Sequence, residues 1–235
     1  MSSVQEESCR RLTTTSFMVL AQLALRPWST YELVQQRVRY FRYVWPRAES
    51  AIYREVKRLA ADGLIEGRRE HTGKRVRTIY SIAPQGLETL QEWLDTPVSP
   101  FAMEFEAMIR LLVAPLASTD QIVGALEQVR TDTQEMLTFG GEVKQEFLDG
   151  RGALQDQAYV RALGMDFFIS LLNTVDSWAE RTLTEVHRWD GLSLEEKNRR
   201  GLEIIGALPV PVPDQPTGAT PVAPETQTRR RRSSW

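Results

Sequence analysis

A mainly α-helical fold carrying one small antiparallel hairpin is what this sequence predicts, and three observations predict it. Ala48, Ile52, Val56 and Leu59 fall on one stripe at a helical step of about 100° per residue, the repeat of a face that packs on a core. Two strand-like stretches, Leu64–His71 and the alternating Arg75–Ile82, follow at once and flank the turn Thr72-Gly73-Lys74. Two long helical periodicities then occupy the second half, Ser118–Asp149 and Ala153–Trp189. A basic-faced helix followed directly by an Arg/Lys-tipped hairpin is the order of a winged helix-turn-helix. The expected organisation is a flexible arm over 1–12, a winged helix-turn-helix with a two-stranded antiparallel wing over 13–95, a C-terminal α-helical dimerisation region over 101–190, and a Pro/Thr-rich disordered tail over 206–235 that ends in Arg229–Arg232.

Taken in order, the arm is polar, and Cys9 in it is read as an incidental thiol. Thr13 to Ser16 offer caps for a helix over Phe17–Leu25 that is apolar nearly all round and therefore expected to be buried; Pro27 ends it. Ser29 and Glu32 form a capping-box pattern that opens a second helix through Arg37, with Tyr31, Leu33 and Val34 holding it to the next one. Tyr40–Trp45 is an aromatic turn region, read as a satellite core because duplex DNA offers no unstacked base to such rings. In the helix that follows, Arg47, Ser50, Arg54, Lys57 and Ala61 lie opposite the apolar stripe, while Glu49 and Glu55 lie toward its buried side or margin. Ala61-Asp62-Gly63 is a stop, with Gly placed for a left-handed cap. On the second wing strand Val76, Thr78, Tyr80 and Ile82 share one face, and Arg75 and Arg77 the other.

The residues then carry a resemblance. Tyr31-Glu32-Leu33, Ile52-Tyr53-Arg54-Glu55-Val56-Lys57-Arg58-Leu59, Asp62-Gly63-Leu64-Ile65, a basic wing and Tyr80 together resemble the PadR family of bacterial transcriptional regulators. The likeness covers about residues 13–95, and the later helices are similar to that family's dimerisation region. It implies a homodimer, joined through the C-terminal helices and the first helix, that binds double-stranded operator DNA of inverted-repeat form. It further implies repression, with relief by a small-molecule effector as an open possibility. The chain departs from the family at Ala83-Pro84-Gln85-Gly86, where Ser or Thr followed by an acid normally precedes Gly. Ala83 has no oxygen to cap a helix, and Pro84 at the first helical position offsets part of that loss.

After the wing, a helix over Pro84–Leu94 is expected to bury Leu87, Leu90, Trp93 and Leu94, and Thr96–Pro100 is a hinge. Met103–Val113 reads as a helix with Phe105, Met108, Ile109 and Leu112 on its apolar side. Ser118 and Gln121 cap the first long helix, whose stripe is Ile122, Leu126, Val129, Met136 or Leu137, Val143 and Phe147, with a bend at Gly140-Gly141. The second long helix carries Leu163, Phe167, Leu171, Val175, Trp178 and Val186, and pairs antiparallel with the first. Two such helices alone leave apolar surface that a second copy would cover.

Charge is distributed unevenly. The net formal charge is −2, yet Arg37–Arg77 holds 12 Lys/Arg against 5 Asp/Glu, and Phe101–Thr228 holds 10 against 20. A basic first module beside an acidic second one orients a protein on a polyanion. One cysteine and two distant histidines leave no zinc-spaced cluster and no His-based nucleophile pair, and no phosphate-binding glycine loop occurs, so neither an enzyme nor a cofactor is expected. The polar N-terminus and the absence of a membrane-length apolar run make a cytoplasmic address the expectation. The DNA-contacting set is Arg47, Ser50, Tyr53, Arg54 and Lys57 for the major groove and its flanks, with Arg68, Arg69, Lys74, Arg75 and Arg77 for phosphates or the minor groove. Trp93 beside the hinge is the candidate effector contact. The competing expectation is a winged helix that binds protein without specific DNA binding.

Overall fold

The computed structural model describes residues 12–38, 48–72 and 75–210, with only the backbone described at Thr72 and Arg75. The arm, the aromatic region Tyr40–Trp45, the wing tip Gly73-Lys74 and the Arg-rich tail lie outside the described residues, and so does Arg47. The chain forms two compact units, one with residues up to Phe105 and Tyr159–Phe168, the other with Glu106–Ala158 and residues from Ile169.

In the first unit α1 (Thr14–Leu25) starts three residues before the expected Phe17, because Thr13 and Ser16 cap each other reciprocally. Its buried side is Ser16, Val19, Leu20, Gln22 and Leu23, and Leu25 is exposed, so the helix is covered along a face rather than all round. Trp28, also buried, donates its indole N–H to the Gln22 carbonyl at 3.1 Å, and the Arg26 guanidinium lies 3.6 Å over its ring. The Ser29–Glu32 capping box opens α2 (Thr30–Gln36), whose Leu33 and Val34 are buried. Tyr31 is a correction: it is exposed, since it sits about 110° of helical rotation from the midpoint of Leu33 and Val34.

The next helix, α3 (Glu49–Ala61), buries Ile52, Val56 and Leu59. Ala48 is its exposed N-cap rather than part of the stripe, and it makes no side-chain cap. The stop is a Schellman arrangement: Leu64 N–H reaches the Leu59 carbonyl at 2.9 Å, Gly63 N–H reaches Ala60, and Gly63 takes φ +72°. The wing strands are β2 (Ile65–Thr72) and β3 (Arg75–Ile82), antiparallel with Thr72 opposite Arg75. A third strand, β1 (Trp28–Ser29), pairs with β3 on its other edge, giving the order β1-β3-β2. Then α4 (Pro84–Leu94) runs over the expected residues, with Pro84 in its first turn and no side-chain cap at Ala83. A side chain at Gly86 would stand 2.0 Å from the Leu64 carbonyl oxygen, so the close approach of α4 to the entrance of β2 needs glycine there. Of the expected α4 stripe only Leu90 is buried; Leu87, Trp93 and Leu94 are exposed, which corrects the amphipathic reading of that helix.

The second unit begins with α5 (Glu106–Leu112), three residues later than expected. None of its residues is buried, so the apolar side expected from Met108, Ile109 and Leu112 stays exposed. Ser118 caps α6 (Thr119–Leu148) through the expected box with Gln121, and Ile122, Leu126, Thr133 and Val143 are buried. Thr133 satisfies its hydroxyl on the Val129 carbonyl at 2.7 Å. Gly140-Gly141 does not interrupt the helix; a side chain on Gly140 would meet Ile169 at 2.7 Å, so this glycine allows close packing instead of a bend.

The next long helix, α7 (Ala158–Val186), begins five residues later than expected, after Leu154 at φ 56° and a 3-10 turn over Gln155–Gln157. Its buried stripe is Leu172, Ala179, Leu183 and Val186. Leu163 and Phe167 are exposed and Val186 alone of the expected stripe is buried, because α7 carries apolar side chains on two sides and the periodicity fits either. Ile122, Leu126, Leu183 and Val186 pack in one cluster, and Arg130 pairs with Asp176 at 3.2 Å, so α6 and α7 run antiparallel as expected. An element not expected, α8 (Leu194–Gly206), starts with a Ser193–Glu196 capping box and is tied to α7 by Arg200, which grips Glu185 through two contacts of 2.6 Å. No helix among the described residues is long and apolar enough to cross a membrane.

Candidate nucleic-acid interface

Burial of Ile52, Val56 and Leu59 turns the opposite side of α3 outward, and the expected reading face stands there. Ser50, Tyr53, Arg54 and Lys57 are all exposed. No acidic group among the described residues pairs with Arg54 or Lys57, and both side chains are exposed. Glu49 is exposed as well, not tucked at the buried margin, because nothing among the described residues covers the first turn of α3. Its carboxylate there complements the positive end of the helix dipole, which the capless Ala48 leaves open.

On the wing the expected cations fare differently. Register places Glu70 opposite Arg77, and Arg68 shares a strand face with Glu70 two residues along. Arg68 donates to Glu70, while Arg77 lies 3.7 Å from Glu70 and 3.9 Å from Glu32 of α2. Burial alone would raise the Glu32 carboxyl. Hydrogen bonds from the Ser29 backbone and hydroxyl, with the charges of Arg77 and Arg26, bring it below the usual 4.5. Arg68 and Arg77 thus share a short ladder of alternating charge that straps the wing to α2. Arg69 projects from the other strand face, exposed, with no acidic partner among the described residues. Lys74 and Arg47 lie outside the described residues, and the Arg75 side chain is not described.

Trp93 is partly exposed and stacks on Phe17 of α1, with ring centroids 4.7 Å apart and planes at 11°. Groups that the sequence reading passed over are Glu32 and Glu70 on the wing, and Glu55, Arg58 and Ser16 between α3 and α1. The Glu70–Arg77 pair was there to be found: a two-residue turn between Thr72 and Arg75 sets 70 against 77.

The model of the transcriptional regulator PadR-like family matches residues 19–92. That segment, residues 19–92, belongs to the PadR-like transcriptional regulators. Solved structures share the PadR-like fold at low identity. Bacillus subtilis PadR in complex with operator DNA superposes with TM-score 0.64 at 18% identity, covering 74% of this chain and 99% of that one. The same Bacillus subtilis protein in complex with p-coumaric acid gives 0.58 at 16%, covering 75% and 98%. The Vibrio cholerae virulence activator AphA gives 0.58 at 18%, covering 74% and 99%. No curated protein sequence matches the chain.

Proposed function

We propose that this protein is a homodimeric, sequence-specific DNA-binding regulator that represses transcription from an inverted-repeat operator. The observation that carries the reading is the outward face of α3, where Ser50, Arg54 and Lys57 stand exposed and the two cations have no acidic partner among the described residues. Arg reads guanine edges in the major groove, Ser serves either base type, and Lys meets phosphate. Arg69 and, at the wing tip, Lys74 and Arg75 are assigned to the flanking backbone, and Arg47 to the groove beside Ser50.

Dimerisation is supported by apolar side chains that nothing among the described residues of one copy covers. On α7 Tyr159, Val160, Leu163 and Phe167 are exposed within nine residues, Phe167 to 54% and Leu163 to 73%. A contiguous apolar patch of this kind marks an association surface. Two copies related by a two-fold axis would set their α3 helices about 34 Å apart, one turn of duplex. An aromatic small molecule beside Trp93 completes the reading, since its ring already accepts a stacked partner and keeps part of its surface open.

Selection of bound duplexes from a random library tests the central point. The expected result is an inverted repeat whose binding weakens steeply with salt. Binding with no preferred sequence and little salt dependence would favour a protein-interaction module instead. A Leu163→Asp/Phe167→Asp variant should sediment as a monomer at concentrations where the parent is dimeric. Quenching of tryptophan emission by aromatic acids, absent in Trp93→Phe, is the expected effector result. A reporter placed behind the selected operator separates repression from activation.

A further inference from the structure

We propose that Arg58, held by Ser16 and Glu55, is a positioning residue that sets the rotation of α3 about its own axis, so that Arg54 and Lys57 meet DNA in register. The proposal rests on the DNA-binding reading and concerns a residue that does not itself touch DNA. Arg58 sits on the flank of α3, and its side chain is only 21% exposed. Its Nη2 donates to the Ser16 hydroxyl at 2.9 Å, its Nε and Nη2 grip the two Glu55 oxygens, and its Nη1 reaches Asp62 at 3.5 Å.

Ser16 is fully buried, and the same hydroxyl accepts the Thr13 N–H at 2.7 Å to cap α1. A hydroxyl has two acceptor sites and one proton. The Thr13 N–H and Arg58 take the acceptor sites, and the one proton faces the Glu55 carboxylate and the Thr13 hydroxyl, 3.2 Å away. Burial would raise the Glu55 carboxyl, but the hydrogen bonds from Arg58 and Ser16 and the Arg58 charge bring it below its ordinary value. One buried oxygen therefore joins the cap of α1 to the flank of α3.

Directionality is what this node adds. The apolar stripe Ile52, Val56 and Leu59 sets which side of α3 faces outward, but apolar burial is non-directional and holds the exact angle less sharply than hydrogen bonds do. The N-cap Ala48 contributes no side-chain bond. A planar guanidinium held at several points does fix an angle. Turning α3 by about 20° would carry side-chain atoms at its outer radius about 2 Å, more than a two-point base contact tolerates. The neighbouring Phe17 stacks on Trp93, so α1 engages α3 with one residue and α4 with the next.

The test uses the full chain and the duplex it selects, with Arg58→Lys and Ser16→Ala compared to the parent. Lysine keeps the charge and loses the planar fork. The expected result is an affinity for the selected duplex lowered about tenfold, roughly one base contact, with unrelated-duplex affinity and salt slope unchanged. The double variant should lose no more than the weaker single one, because both act through one node. Circular-dichroism melting establishes that each variant is folded; if Ser16→Ala is not, Arg58→Lys alone carries the test. Arg58→Lys that keeps parental preference overturns the proposal. So does a variant that weakens both duplexes alike with a shallower salt slope, which would make Arg58 a phosphate contact. A parent chain that selects no duplex would overturn the DNA reading, and the positioning role with it.

Discussion

Two basic surfaces lie in the first unit, the outer face of α3 and the wing, and they differ in what their charges already face. Arg54 and Lys57 have no acidic partner among the described residues, whereas Arg68 and Arg77 of the wing are shared with Glu70 and Glu32. A cation that meets phosphate gains by releasing counterions from the DNA, and one already beside a carboxylate must first give that up. Exposed ion pairs are worth only about 0–1 kcal/mol, so the wing arginines are discounted rather than disabled. Counting Lys and Arg along a sequence therefore overstates the wing and ranks the helix too low.

The largest expected effect follows from the helix side of this contrast. Arg54→Ala should cost about 1–3 kcal/mol on the selected duplex and relax preference at one base position, as read by fluorescence anisotropy against a panel of base substitutions. Lys57→Ala should weaken all duplexes about equally and reduce the salt slope by about 1. Arg69→Ala is expected to do the same with a smaller loss, since it is the described wing arginine without an acid beside it. Glu70→Gln sharpens the comparison from the other side: freeing Arg68 and Arg77 should tighten binding at low salt by at most about 1 kcal/mol, with the gain vanishing as salt rises. Unchanged affinity in Glu70→Gln would mean that Arg68 and Arg77 do not meet the DNA backbone, leaving the wing's contacts to Arg69, Lys74 and Arg75.

The smallest effect is a matter of pH. The Glu32 carboxyl is held below its ordinary 4.5, so its contribution to stability is complete above that value and is lost as pH falls through the depressed folded value. Glu32→Gln should therefore flatten the acid side of the stability curve followed by circular dichroism between pH 6 and about 3. An acid limb as steep as the parent's would show that the bonds Glu32 accepts from Ser29, and its charge contact with Arg77, contribute nothing to the acid dependence of folding.

What could be read from the residues alone depended on how local each cause is. Caps and stops act within four residues, so Ser29 with Glu32, Ser118 with Gln121, and Asp62-Gly63 marked their helix ends. The alternation in Arg75–Ile82 gave both bounds of β3. Trp28–Ser29 is too short for alternation to show, and its strand character comes from β3 lying beside it. On α7 the side chains of Leu163 and Phe167 satisfy a helical repeat as well as Leu172, Ala179 and Leu183 do, and only the packing partner decides between them. Ser193 with Glu196 marks the start of α8 by the same local capping pattern, so that helix start is legible in the residues too. On the candidate interface the outward face of α3 was legible because three buried residues define its opposite. The pairing of Arg77 with Glu32 was not, since it joins residues 45 positions apart through tertiary packing.

The most direct test of the central claim places a photo-reactive benzoylphenylalanine at Tyr53, on the edge of the outward face, and separately at Phe139 on α6, then irradiates each with the selected duplex. The account predicts a DNA adduct from position 53 and none from position 139. An adduct from 139 with none from 53 would contradict it.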